Sequence, residues 1–367
     1  MSKPFEMKRY YTWTLDPIHV GTGGYRLGRV DNTITREPGT FVPKLPGSSI
    51  AGVTRAYAAM AVQSGVDSNK IIEKKTEGLV LDAEEYRKMK YQRPVYKYAN
   101  FEKNILAPDI QGDPIIERDS EGRERYLSCA GKGANDGDGH CGEHDCEVCV
   151  SFGFSKKNSS FQGLAQFYDA RILFFPVHTM IGPAWITAPS ILASLQPAAD
   201  VNVCVNENCF KAVNLDYKTR LNFGWLMLSP DQPSKADVDL SFLKAPATSD
   251  LIAKRAFVVP DKLFSQIVND NLEVRTSVAI DPATGAAEDG ALFTYEAIPR
   301  ATLMWFDVVY NNPDFYRING KGINKDHKNP ADTAWIIDNV EKGFEYFENL
   351  GIGGMSTRGM GRLKVLK

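Results

Sequence analysis

The chain of 367 residues has no apolar run long enough to span a membrane, and its opening, MSKPFEMKRYY, lacks an apolar signal core. Neither a membrane anchor nor a secretory leader is expected, and the cytoplasm is the default compartment. Positive charge is not in excess either: 43 Lys and Arg stand against 45 Asp and Glu, a formal net charge of −2. Binding of nucleic acid by bulk charge is thereby excluded, and any such surface must be a local basic track. Acidic residues are missing from two stretches, Pro38 to Val66 and residues 351–367, the second carrying Arg358, Arg362, Lys364 and Lys367. No internal repeat is evident. Hydrophobic residues at 43% and charged residues at 24% are ordinary for a folded protein, either one large domain with insertions or two domains.

Against these absences stands one dense stretch, His19 to Arg55, HVGTGGYRLGRVDNTITREPGTFVPKLPGSSIAGVTR. Gly21, Gly23 and Gly24 remove the Cβ atoms that keep a ligand away from backbone N–H groups, and Gly28 lets the chain turn again. Asp31 follows among Arg26, Arg29 and Arg36, a carboxylate placed between groups that attract phosphate. Pro46-Gly47-Ser48-Ser49 then precedes Ile50, Val53, Tyr57 and Met60, which predicts a helix with Ser48 or Ser49 as its N-cap and its free N–H groups facing an anion. A dinucleotide site would need a helix directly after the glycines, whereas Tyr25 to Thr35 suits extended chain.

The six cysteines are few and uneven. Cys129, Cys141, Cys146 and Cys149 crowd a polar, glycine-rich loop, and Cys146-Glu-Val-Cys149 has the spacer that lets two thiolates reach one tetrahedral ion. Such a loop needs a cross-link, and in a reducing compartment structural zinc is expected over a disulfide. His140 or His144 is an alternative to one thiolate, and reduced cysteines in a mobile loop are the competing reading. Cys204 and Cys209 are expected as free thiols.

Along the chain, Tyr10 to Val20 reads as a strand with Trp13 and Leu15 inward, Ser49 to Gln63 as a helix, and residues 65–151 as an insertion whose charged stretch 69–103 suits a solvated helix face. Leu164 to Pro176 and Thr219 to Leu228 read as strands, Pro189 to Leu195 as a short helix, and Ser229 to Pro246 as exposed loop. Leu272 to Arg300 reads as a projecting hairpin, and Thr333 to Leu350 as a helix with Ile336, Val340, Phe344 and Phe347 on one face. Gly351 stops that helix, a glycine-rich loop follows to Arg362, and RLKVLK closes the chain as a strand. The expected class is α+β, with helices on one face of an antiparallel sheet.

The run LDPIHVGTG, then GRVD with RE downstream, PKLPGSSIAGVTR, GALFTYEAIP from Gly290 and GGMSTRGMGR from Gly353 resembles, in order, the signature of the RAMP superfamily. Within it, the chain is most similar to the repeating backbone subunit of type III CRISPR effector complexes, particularly the Cmr kind. The resemblance implies one RAMP domain over residues 1–367: a ferredoxin-like, RRM-like palm, the insertion 65–151 with a zinc loop at 129–149, a thumb hairpin at 272–300 and the glycine loop 351–362. It implies a cytoplasmic ribonucleoprotein in which copies stack head to tail along a crRNA guide with other type III subunits. Each copy would then cut complementary target RNA at regular intervals.

Asp31 aligns with the family's catalytic aspartate. It would act as a base on the 2′-hydroxyl or position magnesium or manganese. His19 matches the family's histidine, a candidate proton donor or guide contact, and Tyr295 and Glu296 would position the target. Guide phosphates are expected at Gly23, Arg29, Lys44, Ser48, Ser49, Arg55, Gly353, Gly354, Ser356, Arg358 and Arg362. The family's lysine after the Ser-Ser pair is Ala51 here, so that contact is either absent or supplied by Arg55. Two rivals share the superfamily: a scaffold that binds guide without cutting, and a nuclease that processes guide precursors. The Ser-Ser helix, thumb motif and zinc loop favour the backbone subunit over the second.

Overall fold

The computed structural model describes residues 3–23, 30–64, 129, 140, 142–156, 159–195, 203–325 and 329–366, with five two-residue strand segments between Leu79 and Arg125. The expected features at Gly24, Arg26, Gly28, Arg29, Cys141 and nearly all of 69–103 lie outside these residues. The chain divides into two compact units, one of Met1–Lys8, Ile50–Tyr168 and Asp307–Tyr346, the other of Arg9–Ser49, Asp169–Phe306 and Phe347–Lys367.

The second unit holds most of a large mixed sheet. Its strands in chain order are β1 (Phe5–Thr14), β2 (Lys44–Leu45), β4 (Ala170–Thr179), β5 (Gly182–Thr187), β6 (Cys209–Val213), β7 (Leu221–Phe223), β8 (Leu226–Ala236), β9 (Ala256–Val258), β12 (Leu303–Asn311) and β13 (Leu363–Leu366). They run β7-β8-β6-β9-β5-β4-β12-β1-β13, with β2 against β4. The sheet is not wholly antiparallel as expected: β5 pairs β9 and β6 pairs β8 in parallel. Leu303, Met304, Trp305, Phe306 and Val308 of β12 are all buried, so both faces are covered and the strand reads as a continuous apolar run. Leu173, Phe174, Trp185, Val213, Ile252 and Leu303 share one core cluster, each side chain contributing about 1.5–3 kcal/mol by leaving water.

Two expectations fail here. The stretch 219–228 is not one strand but a hairpin, turned at Gly224 (φ +62°) and Trp225. Ser229 to Pro246 is not exposed loop: it continues β8, and Val238, Leu240 and Leu243 beyond it are buried. The physical reason is Asp231, 6% exposed, whose carboxylate accepts the N–H of Asn206 (3.0 Å), its Nδ2 (2.7 Å) and the N–H of Gln232 (2.8 Å). A buried, satisfied aspartate looks like a loop residue in sequence.

The expected hairpin is present as β10 (Glu273–Ile280) and β11 (Ala287–Ala297), a two-stranded sheet of its own. Along β10 exposure alternates, and Val274, Val278, Ile280 and, on β11, Leu292 stand exposed.

In the first unit, β3 (Ala165–Phe167) pairs the Val308–Tyr310 end of β12. Helix α1 (Gly47–Ser64) and α4 (Thr333–Phe344) meet where a Cβ on Gly343 would lie 2.6 Å from the Thr54 carbonyl oxygen, so no larger residue fits. Asp332 caps α4 by accepting the Trp335 N–H at 2.8 Å. The predicted apolar face, Ile336, Val340, Phe344 and Phe347, is buried, but the helix ends at Phe344 and a separate turn covers Phe347–Leu350. Among the described residues no helix is long and apolar enough to cross a membrane.

Candidate functional site

The Asp31 segment is bound edgewise to β11. Asn32 donates its N–H to the Thr294 carbonyl (3.0 Å) and accepts the N–H of Glu296 (3.0 Å). Thr294 and Glu296, two apart on a strand, therefore point the same way, and each meets the Asp31–Arg36 chain. The Asp31 Oδ2 accepts both the Thr294 N–H (2.8 Å) and its hydroxyl (2.9 Å), while the Asp31 N–H donates to the same Oγ at 3.0 Å. These bonds, the backbone one first, hold the exposed Asp31 carboxyl below its ordinary range and keep it ionised near neutrality. Glu296 has no such freedom. Its Oε1 pairs with Arg36 at 2.7 Å and its Oε2 accepts the Ile34 N–H at 3.2 Å. Arg36 is further fixed by Asn269 Oδ1 at 2.9 Å and the Ile34 carbonyl at 3.0 Å.

His19 lies farther along the same edge of β11. Its Nδ1 is 2.6 Å from the Glu296 carbonyl, which can only accept, so Nδ1 carries the proton and Nε2 is left without a hydrogen-bond partner among the described residues. A Cβ on Gly21 would come within 3.1 Å of that Nε2. Tyr295, 7% exposed, sets its ring edge-on to His19 at 5.6 Å and to Phe293 at 5.3 Å.

The glycine loop closes on this corner. Gly354 donates its N–H to the His19 carbonyl at 2.8 Å, and a Cβ on Gly353 (φ +88°) would sit 2.5 Å from that oxygen, so only glycine fits. Arg358 Nη1 donates to Ser277 Oγ at 2.9 Å and Arg275 reaches the Gly359 carbonyl at 3.4 Å, tying the loop to β10. Gly353, Gly354, Ser356 and Arg358 are exposed, as are Gly23 and Ser48.

Other expected phosphate ligands already have partners. Lys44 pairs with Asp169 at 2.5 Å, and Asp169 Oδ1 accepts the Gly47 N–H at 2.8 Å. The helix start is therefore capped by a carboxylate from β4's leading edge, and Ser48 and Ser49 lie inside the first turn, not at the cap as expected. Arg362 forms a two-point pair with Asp16, at 2.5 and 3.3 Å, which holds the Asp16 carboxyl low. Arg55, in the first unit, donates to the Cys129 carbonyl (2.6 Å) and to His140 Nδ1 (3.0 Å). Asp169, Asp16 and Thr294 were not anticipated. The first two carry no local sequence signal, since their partners lie far along the chain.

The first unit gathers three cysteines. The sulfurs of Cys129, Cys146 and Cys149, all buried, lie within 4.8 Å of one another, with Cys129 3.4 Å from Cys149 and 3.9 Å from Cys146. Cys146 caps α2 (Glu147–Phe152), its Sγ accepting the Cys149 N–H at 3.3 Å. Sulfurs so spaced and backed by an N–H fit the thiolate corners of a tetrahedral metal site. His140 accepts from Arg55 through Nδ1, so in that tautomer Nε2 carries the proton and the ring has no lone pair for a metal; burial and the Arg55 charge push its pKa down.

An exposed carboxylate at a hairpin root and a glycine loop seated on the His19 carbonyl, on a mixed α+β sheet, are the features of the site. Residues 14–364 match the RAMP superfamily, and the chain belongs to it. It is 23% identical over 316 residues to the CRISPR system Cmr endoribonuclease Cmr4 of Pyrococcus furiosus, covering 82% of this chain and 80% of that one. Its fold resembles a chain of the type III-B Cmr-beta complex bound to cognate target RNA, with TM-score 0.55, 11% identity and coverage of 99% and 98%. A chain of the apo state of Cmr-beta gives TM-score 0.52 and 13% identity over 98% and 96%.

Proposed function

We propose that this chain is the crRNA-binding backbone subunit of a cytoplasmic type III-B CRISPR effector complex, and that it cleaves guide-complementary RNA at Asp31. In this reading the whole chain is one RAMP domain, its ferredoxin-like palm carrying the thumb hairpin and a zinc-bearing insertion, and copies stack head to tail along the guide. The observation that carries the catalytic part is the Asp31 carboxylate, exposed, ionised and pinned at the hairpin root with Oδ1 uncommitted among the described residues.

The chemistry follows from that oxygen. A 2′-hydroxyl forced out of the stacked geometry attacks its own phosphorus in line, the 2′-proton passes to Asp31, and the bond to the 5′-oxygen breaks. The ends left are a 2′,3′-cyclic phosphate and a 5′-hydroxyl. Alternatively, Asp31 would hold magnesium or manganese in place of the proton, and the cation would supply Lewis-acid stabilisation of the phosphate charge. His19, if doubly protonated, presents Nε2–H as donor to the leaving oxygen. Tyr295 and Glu296 hold His19 and Arg36, and so shape the site from behind. Guide phosphates run over Gly23, Ser48, Ser49, Gly353, Gly354, Ser356 and Arg358, with Arg29 adding charge and Lys44, Arg55 and Arg362 doing so where phosphate displaces their present partners.

A non-cutting scaffold is the second reading, since a purely structural aspartate would show the same Asp31–Thr294 contacts. Reconstituted complex with magnesium and end-labelled, guide-complementary RNA separates the two. Evenly spaced cuts lost in Asp31→Ala with RNA still bound establish the nuclease; bound target left whole by wild type establishes the scaffold.

For the insertion we propose structural zinc on Cys129, Cys146 and Cys149, with Cys141 as the fourth thiolate. Elemental analysis of purified protein is expected to give one zinc per chain, lost in Cys149→Ser; an absence of metal in wild type would refute it.

A further inference from the structure

We propose that Thr294 is the positioning residue of the Asp31 carboxylate, committing Oδ2 and presenting Oδ1 to the reaction. The inference rests on the nuclease reading above and assigns a role in it to a residue that touches neither substrate nor cation.

The geometry is a closed three-bond clasp. The Thr294 Oγ accepts the Asp31 N–H at 3.0 Å and donates its proton to Oδ2 at 2.9 Å, and the Thr294 N–H reaches the same Oδ2 at 2.8 Å. Both residues are held in register by the Asn32 bonds to the Thr294 carbonyl and from the Glu296 N–H, each 3.0 Å. The carboxylate therefore cannot swing without breaking a side-chain and a backbone bond together. An exposed aspartate left unheld samples several rotamers, and a reacting group misplaced by about 1 Å loses on the order of a hundredfold in rate. The clasp removes that freedom from a residue that is otherwise open to solvent.

The charges facing this corner do not substitute for it. Arg36 and Glu296 pair with each other, and His19 Nδ1 is engaged by the Glu296 carbonyl. Asp31's pKa is lowered chiefly by the Thr294 backbone and hydroxyl bonds and further by its own N–H, with no charged group contributing among the described residues. Losing the hydroxyl therefore raises the Asp31 pKa, and the acid limb of a pH–rate profile, which falls as Asp31 is protonated, moves to higher pH.

The test is single-turnover cleavage by reconstituted complex carrying Thr294→Val, Thr294→Ser or Asp31→Ala, each with target affinity and thermal midpoint measured. Thr294→Val is expected to cleave about tenfold to a hundredfold more slowly, with target affinity within twofold of wild type and the acid limb displaced upward; Thr294→Ser, which restores the hydroxyl, is expected within about threefold of wild type. A merely structural threonine would change stability or affinity and leave the limb where it was. Thr294→Val cutting at the wild-type rate with an unmoved limb, while Asp31→Ala is dead, overturns the proposal alone. Asp31→Ala cutting normally overturns the underlying nuclease assignment and the proposal with it. Should the valine variant fail to assemble, Thr294→Ala with the serine rescue carries the same comparison.

Discussion

Two carboxylates reach the same end of β11, and their surroundings could hardly differ more. Asp31 is exposed and engages Thr294 through one oxygen, whereas Glu296 is 9% exposed and has both oxygens engaged, by Arg36 and by the Ile34 N–H. Charge type and position in the chain do not separate them; commitment does. A carboxylate with a free oxygen facing water can take a proton or a cation, while one that balances a nearly buried arginine serves the fold. The cysteine cluster in the other unit stands with Glu296: its groups are buried and face one another.

The sharpest break between the two acids is expected in activity. Asp31→Asn keeps the shape and loses the charge, and should lower cleavage by about a thousandfold with only a small fall in the urea midpoint of unfolding at pH 7. The contribution of the Asp31 clasp to folding has a definite pH sign. Its folded pKa is depressed, so the stabilisation is present above the ordinary carboxylate pKa and is lost as pH falls through the folded value. Equal loss of stability in Asp31→Asn and Glu296→Gln at pH 7 would erase the distinction.

Glu296→Gln supplies the other half. It leaves the Arg36 guanidinium, whose side chain is 11% exposed, without its counter-charge, and should cost about 3 kcal/mol of stability by denaturant titration. RNA cleavage per folded complex should stay within a few-fold. A full loss of cleavage in well-folded Glu296→Gln would move the acid from the frame into the chemistry.

These contrasts also mark what sequence could and could not disclose. The glycine runs announce close backbone approach, and Gly353 against His19 is such an approach, whereas Asp31 and His19 stand out only through the family resemblance. The hairpin and the apolar face of α4 follow from periods of two and 3.6. Strand β12 escaped because a strand buried on both faces has no alternation to read. Pairings between residues far apart, Lys44 with Asp169 or Arg362 with Asp16, are set by the sheet's strand order, which no local pattern encodes. Hence arginine and lysine content pointed to phosphate at positions where the fold has already supplied a carboxylate.

Gly353→Ala tests the backbone side of the comparison. At φ +88° an alanine is strained, and its Cβ would press on the His19 carbonyl, so a loss of about 2 kcal/mol is expected in thermal unfolding. Because the displaced atom belongs to His19, cleavage should fall further than stability explains. A variant of normal stability and activity would show that the loop does not seat His19.

The smallest expected effect concerns Lys44, whose pair with Asp169 is partly exposed, at 19% and 35% for the two side chains. Such a pair contributes at most about 1 kcal/mol, so Lys44→Gln should scarcely change the unfolding midpoint. Asp169 would keep its bond to the Gly47 N–H and so continue to cap α1. The informative readout is the salt dependence of guide binding. If phosphate draws Lys44 away from Asp169, the slope of log affinity against log salt should become shallower by about one in the variant. An unchanged slope would assign Lys44 to Asp169 alone, placing it with Glu296 among the committed charges and leaving the guide to the exposed amides, serines and Arg358.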